Sequence, residues 1–164
     1  MSLVLVRIDD RLIHGQVVAG WGMHLNPDRI LLSSDTIANS PWEKEMYMAA
    51  EATAPYPVVI SVMTQDETLA FLSDSAAAKE KIILLIETPQ EILQLIRRGL
   101  KIQQLNVGGM HFKAGKRRLA PFIFVDDEDI SCFREIHNRN IQIEGRDVPT
   151  AKALDIISMI DSEK

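Results

Sequence analysis

A chain of 164 residues, 46% apolar and 25% charged, has the make-up of an ordinary globular protein and is long enough to bury a substantial core. Its 23 Asp and Glu outnumber its 18 Lys and Arg, and the formal charge of −5 argues against nucleic-acid binding as a general role. The single cysteine, Cys132, excludes an internal disulfide or a cysteine-built metal site, and no apolar run approaches the roughly 20 residues that span a bilayer.

In chain order, Leu3 to Ile8 reads as a short apolar strand. It leads into Arg7-Ile8-Asp9-Asp10-Arg11-Leu12-Ile13-His14-Gly15-Gln16-Val17, where His14 and Gly15 open a helix whose buried face carries Val17, Val18 and Trp21. Further apolar runs follow at Arg29 to Leu32, Val58 to Val62, Ile82 to Ile86, Leu105 to Val107, Phe122 to Val125 and Ile141 to Ile143. Several are continuous rather than alternating, as in strands covered on both faces. Between them, Ser40-Pro41-Trp42-Glu43, Thr64-Gln65-Asp66-Glu67 and Thr88-Pro89-Gln90-Glu91 each place a hydroxyl at a helix start and a Glu three residues on, the pattern of a capping box. Gly99 ends the helix begun at Thr88, Asp126-Asp127 begin another through Phe133 and Ile136 with Cys132 as a buried inert thiol, and a last helix starts near Thr150 and presents Leu154, Ile157 and Ile160. Strand then helix, repeated without linker or internal repeat, predicts one domain over 1–164: an open, mainly parallel α/β sheet with helices on both faces.

Such sheets bind ligands beyond the carboxyl ends of their strands. That edge gathers the Asp9 to His14 loop, Ser33-Ser34-Asp35, Met63-Thr64, Glu87-Thr88 and the Asn106 to His111 loop. A neutral imidazole at a helix start, beside unpaired backbone N–H groups, suits phosphoryl chemistry, which asks mainly for positioning and charge stabilisation. Asp9 or Asp10 can favour the imidazolium, or one of them can orient the ring by accepting from its other nitrogen. Arg11 can offer phosphate two parallel hydrogen bonds, and Gly108-Gly109 can bring backbone close to an anion. His111 either lines the site or is a loop residue. His24 and His137 read as surface histidines, and Trp21 and Trp42 as packing anchors on helix faces. Lys113, Lys116, Arg117 and Arg118 are either a solvated charge run or a docking surface. The four histidines lack metal-ligand spacing, so no metal or other cofactor is expected, and the N-terminus lacks a signal-peptide pattern, so a cytoplasmic location is expected.

The Arg7 to Val17 run closely resembles the phosphorylation-site motif of IIB components of the mannose/sorbose family of the bacterial sugar phosphotransferase system. Leu105-Asn106-Val107-Gly108-Gly109-Met110, with Gly115-Lys116 beyond, resembles that family's second signature. The resemblance implies a three-layer α/β/α fold and a phosphohistidine–sugar phosphotransferase activity. It makes His14 the phosphoryl acceptor through Nδ1, with Arg11 and Asp10 as catalytic helpers. Around the phosphoryl group it implies Asp9, Gly15, Gln16, Ser34, Asp35, Asn106, Gly108, Gly109, Met110 and His111. The implied partners are a phosphorylated IIA component as donor and a IIC/IID membrane permease that holds the sugar and brings the protein to the membrane surface, with a homo-oligomer left open. Ser34-Asp35 stands where many relatives carry Asn-Asp, and Met110-His111 and Val148-Pro149-Thr150 resemble the hexosamine branch, including N-acetylgalactosamine components. Two other classes are compatible with parts of the sequence: a regulatory protein phosphorylated on His14 that serves no transport, and a nucleotide-binding protein using Asn106 to Gly109. The second lacks GxGxxG and GxxxxGK[ST] patterns.

Overall fold

Ile82–Ile86 (β4) is an unbroken apolar run, and all five of its side chains are at 0% exposure, so it must be covered on both faces. In the computed structural model, which describes residues 2–163, β4 lies near the middle of a seven-stranded sheet. Its other members are β1 (Leu3–Asp9), β2 (Arg29–Ser33), β3 (Val59–Met63), β5 (Gln104–Gly109), β8 (Gln142–Gly145) and β9 (Leu154–Asp155), in the order β3-β2-β4-β1-β5-β8-β9. Every pairing is parallel except the short antiparallel contact of β9 with β8.

Helices cover both faces. On one, Val17, Val18 and Trp21, together with Ile37, pack on Ile30, Leu32, Ile60, Val62, Ile83 and Leu85. They belong to the helix after β1, to α2 (Asp35–Ala38) and, through Tyr47, to α3 (Pro41–Met48). On the other lie α4 (Gln65–Ser73), α5 (Pro89–Arg97), α6 (Asp127–Asn138) and α7 (Ile156–Ser162), burying Ile92, Leu95, Phe133, Ile136 and Ile156 against Ile8, Leu31, Leu84 and Val107. The chain therefore leaves β1 toward the first face and leaves its neighbours β4 and β5 toward the second. The carboxyl end of β1 lies at a topological switch, the place where such sheets open a crevice.

The capping signals separate into three outcomes. Thr64 makes a complete box: its hydroxyl accepts from Glu67 N at 3.1 Å, and Thr64 N donates to Glu67 Oε2 at 2.8 Å. Thr88 accepts from Glu91 N, but Glu91 meets the Thr88 hydroxyl rather than its backbone. Ser40 makes no side-chain cap bond, with Pro41 alone setting the start of α3. Asp126 and Asp129 form an additional full box on α6. Gly99, at φ +110°, ends α5 as expected.

Four expectations are corrected. The helix after His14 is not a plain α-helix: Gln16–Trp21 is wound as a π-helix and only Gly22–Leu25 (α1) is α-helical. Phe122 to Val125 does not enter the main sheet. Ile123–Val125 (β7) pairs with Arg117–Ala120 (β6) in a separate antiparallel hairpin, anchored where Met110 N donates to Phe122 O and Phe124 N donates to Met110 O. The last helix begins at Ile156 rather than Thr150, because Leu154 and Asp155 first pair with β8 and Asp155 then caps the helix through Ser158 N. Trp21 is packed at 4% exposure, but Trp42 is 72% exposed, since α3 buries none of its residues fully.

Candidate functional site

Asp9 ends β1 with a side chain at 0% exposure, and the site is built around it. Asp9 Oδ2 accepts from His14 Nε2 at 3.0 Å, from Arg11 Nη2 at 2.9 Å and from Arg7 Nη2 at 3.1 Å. Asp9 Oδ1 accepts from Arg11 Nε at 3.0 Å and Arg11 N at 3.1 Å. Burial alone would raise the carboxyl pKa, but the bonds from His14 and Arg11 and the charge of Arg7 outweigh it and hold Asp9 well below the usual carboxylate range. An ionised carboxylate only accepts, so Nε2 carries a proton, and the neutral form of the ring is the tautomer with its lone pair on Nδ1.

The backbone turns sharply to bring this about. Leu12 N donates to Asp9 O at 3.0 Å, and Leu12 adopts a left-handed φ of +63° that a bulky residue rarely takes. The strain is held by burial of Leu12 in the core, and it swings His14 back over Asp9. His14 O then accepts from both Val17 N and Val18 N, so the histidine itself caps the helix. Its side chain stays 19% exposed, and Gln16 N donates to Nδ1 at 3.3 Å. Nδ1 is thus at the helix start, beside N–H groups that favour an anion. Nothing would approach a Cβ at Gly15 within 4 Å, so the way to His14 is open on that side.

Several residues expected around the phosphoryl group are occupied otherwise. Arg11 places its fork on Asp9 and gives Nη1 to Gln16 Oε1 at 2.9 Å. Asp10 does not bond His14: its carboxylate accepts from His111 N at 2.7 Å and faces His111 Nδ1, while Asp10 N donates to Gly109 O. His111, its side chain 60% exposed, is therefore drawn to the site loop rather than left free. Ser34 caps α2 and Asp35 accepts from Gln65 N at the start of α4; neither bonds the histidine. Met110 is a core residue at 3% exposure. Gly109 lies under the Asp9–Arg11 pair, at 3.0 Å from Asp9 Oδ1 to an ideal Cβ. The basic cluster divides as well. Lys116 is paired with Asp129, and Arg117 with Asp127 and Glu163, whereas Lys113 and Arg118 have no acidic partner among the described residues.

Arg7 is the participant that sequence reasoning missed. It is wholly buried, with Nη1 donating to Asn106 Oδ1 at 2.6 Å and Arg146 O at 2.8 Å, and Nη2 to Asp147 O at 2.9 Å as well as Asp9. Trp21 covers it at 5.2 Å and donates Nε1 to the same Asp147 carbonyl. Gly108 is explained by this side chain: a Cβ there would fall 1.8 Å from Arg7 Cζ, so the space expected to admit an anion holds the guanidinium instead. Asn106 completes the layer by donating to Glu144 Oε1 at 3.1 Å. The available signal was a lone charge inside the otherwise apolar run Leu3 to Ile8.

A single imidazole is thus fixed at the switch point of a parallel sheet, its Nε2 on a buried carboxylate and its Nδ1 at the start of the following helix. The family model described as "PTS system sorbose subfamily IIB component" matches residues 3–164, and the chain belongs to this family of the phosphotransferase system. It is 32% identical over 161 residues to the sorbose-specific EIIB component of Lacticaseibacillus casei, covering 98% of this chain and 96% of that one. It is 36% identical to the mannose-specific EIIAB component of Escherichia coli K12, of which it spans 50%. The IIBSor domain of the sorbose permease from Klebsiella pneumoniae superposes with a TM-score of 0.92 at 30% identity, covering 100% of this chain and 99% of that one. The N-acetylgalactosamine-specific IIB component 1 from Escherichia coli does so at 0.84 and 30%, covering 92% and 97%. The protein is a phosphotransfer IIB component of a sugar-uptake system.

Proposed function

We propose that His14 is the phosphoryl carrier and that Nδ1 is the atom that carries the group. The Asp9 bond to Nε2 is the observation on which this rests, because it leaves the lone pair on Nδ1, where it meets the Gln16 N–H. In the transfer, the N–P bond of a phosphohistidine on the donor breaks as the N–P bond to His14 Nδ1 forms. No proton leaves His14: Nε2–H stays on Asp9, whose charge stabilises the cationic ring that results. Gln16 N–H, bonded to Nδ1 in the resting site, is released from it as the N–P bond forms and, with the helix start, faces the phosphoryl oxygens. Arg11 is 31% exposed and holds Asp9 in the resting site, from which it can turn one prong to the phosphate.

The donor in this reading is a phosphorylated IIA component, and the acceptor is a sugar held by a IIC/IID permease, against which the protein works at the cytoplasmic face of the membrane. The activity is that of a protein-Nπ-phosphohistidine–sugar phosphotransferase. Incubation with phosphorylated IIA should give one acid-labile phosphohistidine per chain, with the Nδ1 isomer identified by its 15N shifts. Replacement His14→Ala should abolish labelling, while His24→Ala and His137→Ala retain it. Labelled His14→Ala, or phosphate on Nε2, would refute the assignment.

A further inference from the structure

The β6–β7 hairpin stands beyond the end of β5, tied to it through Met110 and, by His111, to Asp10 of the site loop. Its sequence leaves one face unpartnered. Arg118 and Phe124 are directly opposed across the two strands, so both project from the same side. The Phe112 ring rests edge-on against Phe124, with centroids 5.7 Å apart and planes at 80°, yet Phe112 is still 65% exposed. This contact holds an apolar side chain in water next to the residue that pins Asp10. Arg118 and Lys113, both exposed, supply positive charge there, and unlike Lys116 and Arg117 they have no carboxylate partner among the described residues. Aromatic and arginine side chains of this kind carry a large share of binding energy at protein interfaces.

We infer that Phe112, Phe124, Arg118 and Lys113 form the docking face for the phosphoryl donor, and that the matching surface of the donor is an apolar pocket rimmed by carboxylates. The charge argument selects this occupant. In a chain of net charge −5, two uncompensated cations beside the reactive loop attract an acidic surface and repel a basic one. Steering of this sort speeds the encounter of a freely diffusing protein with its target. The aromatic pair then slows its departure. The inference rests on the phosphocarrier assignment of His14 and adds the surface by which the donor is recognised.

The test measures phosphoryl transfer from phosphorylated IIA to the full chain by rapid quench, over a range of donor and salt concentrations, with folding checked by circular dichroism. Phe112→Ala should raise the half-saturating donor concentration about tenfold and leave the maximal rate unchanged. The pair Lys113→Gln, Arg118→Gln should slow transfer at low salt and flatten its salt dependence. Trp42→Ala removes an equally exposed aromatic from another face and should match wild type. Unchanged half-saturation in the Phe112 and charge variants overturns the proposal. So does a defect seen only when permease membranes and sugar are added. If unaltered protein takes no label from the donor at all, the failure belongs to the phosphocarrier assignment and not to the docking face.

Discussion

At the scale of single residues, the site is a competition for one carboxylate. Three donors converge on Asp9 Oδ2, and the cost of burying its charge is met only while Arg7, Arg11 and His14 stay in place. Removing the charge strands Arg7 without its counter-ion, so Asp9→Asn should cost about 3–5 kcal/mol at neutral pH, as breaking buried pairs does. The sign with pH follows from a folded pKa below the unfolded value, which is near 3.9. The contribution of Asp9 is complete above that value and is lost as pH falls through it toward the depressed folded one. The stability gap between wild type and Asp9→Asn should therefore narrow below about pH 4. Urea titrations of both proteins from pH 7 to pH 2.5 check this, and a gap that widens in acid would contradict it. His14, Asp9 and Arg11 were legible because their neighbours in sequence are their neighbours in space. Arg7 was not, since Asn106 and the carbonyls of Arg146 and Asp147 meet it from about a hundred or more positions away. Gly108 was misread for the same reason.

At the scale of elements, hydropathy located nearly every strand and local chemistry located most helix starts. Continuous apolar runs identified β4 to the residue, because burial on both faces leaves no other pattern. Capping was legible as a pattern but not as a geometry. Thr64-Glu67 and Ser40-Glu43 look alike in sequence, yet only the first makes its bonds. Thr64→Ala should thus cost about 1 kcal/mol in thermal or urea unfolding, and Ser40→Ala less than about 0.5 kcal/mol. Equal losses would mean that Ser40 bonds Glu43 in solution. The π-wound turn from Gln16 to Trp21 had no sequence signal, and neither did the left-handed Leu12. Both are imposed by the demand that His14 reach Asp9 while Val17, Val18 and Trp21 reach the core. β7 was read as a main-sheet strand because Phe122 to Val125 is a continuous apolar run, and only its pairing with Arg117–Ala120 sets it apart.

At the scale of the whole molecule, strand order decides where the chemistry lies, and order is invisible to a reading of local periodicity. The loop that carries His14 leaves β1, which has β4 on one side and β5 on the other, and both neighbours send their helices to the opposite face. The histidine is consequently carried by the stiffest part of the sheet rather than by an edge. Stability across a structure is uneven, with core strands opening only on global unfolding and edges opening locally. β4 is at 0% exposure throughout, whereas β3, an edge strand, alternates buried Ile60 and Val62 with half-buried Ser61 and Met63, and Val59 is 43% exposed. β9 is only two residues long. Native-state hydrogen exchange should thus show amides of Ile83 to Ile86 and Val6 to Ile8 protected to the full unfolding free energy. Amides of β3 and β9 should exchange through smaller openings that depend little on urea. The arrangement suits the carrier role proposed for His14, because a rigid site would present the same Nδ1 to a donor and to an acceptor without reordering between encounters. Sub-global exchange at Val6 to Ile8 would show instead that β1 opens on its own, and the pre-set geometry of Asp9 and His14 would then have to be re-formed before each of the proposed transfers.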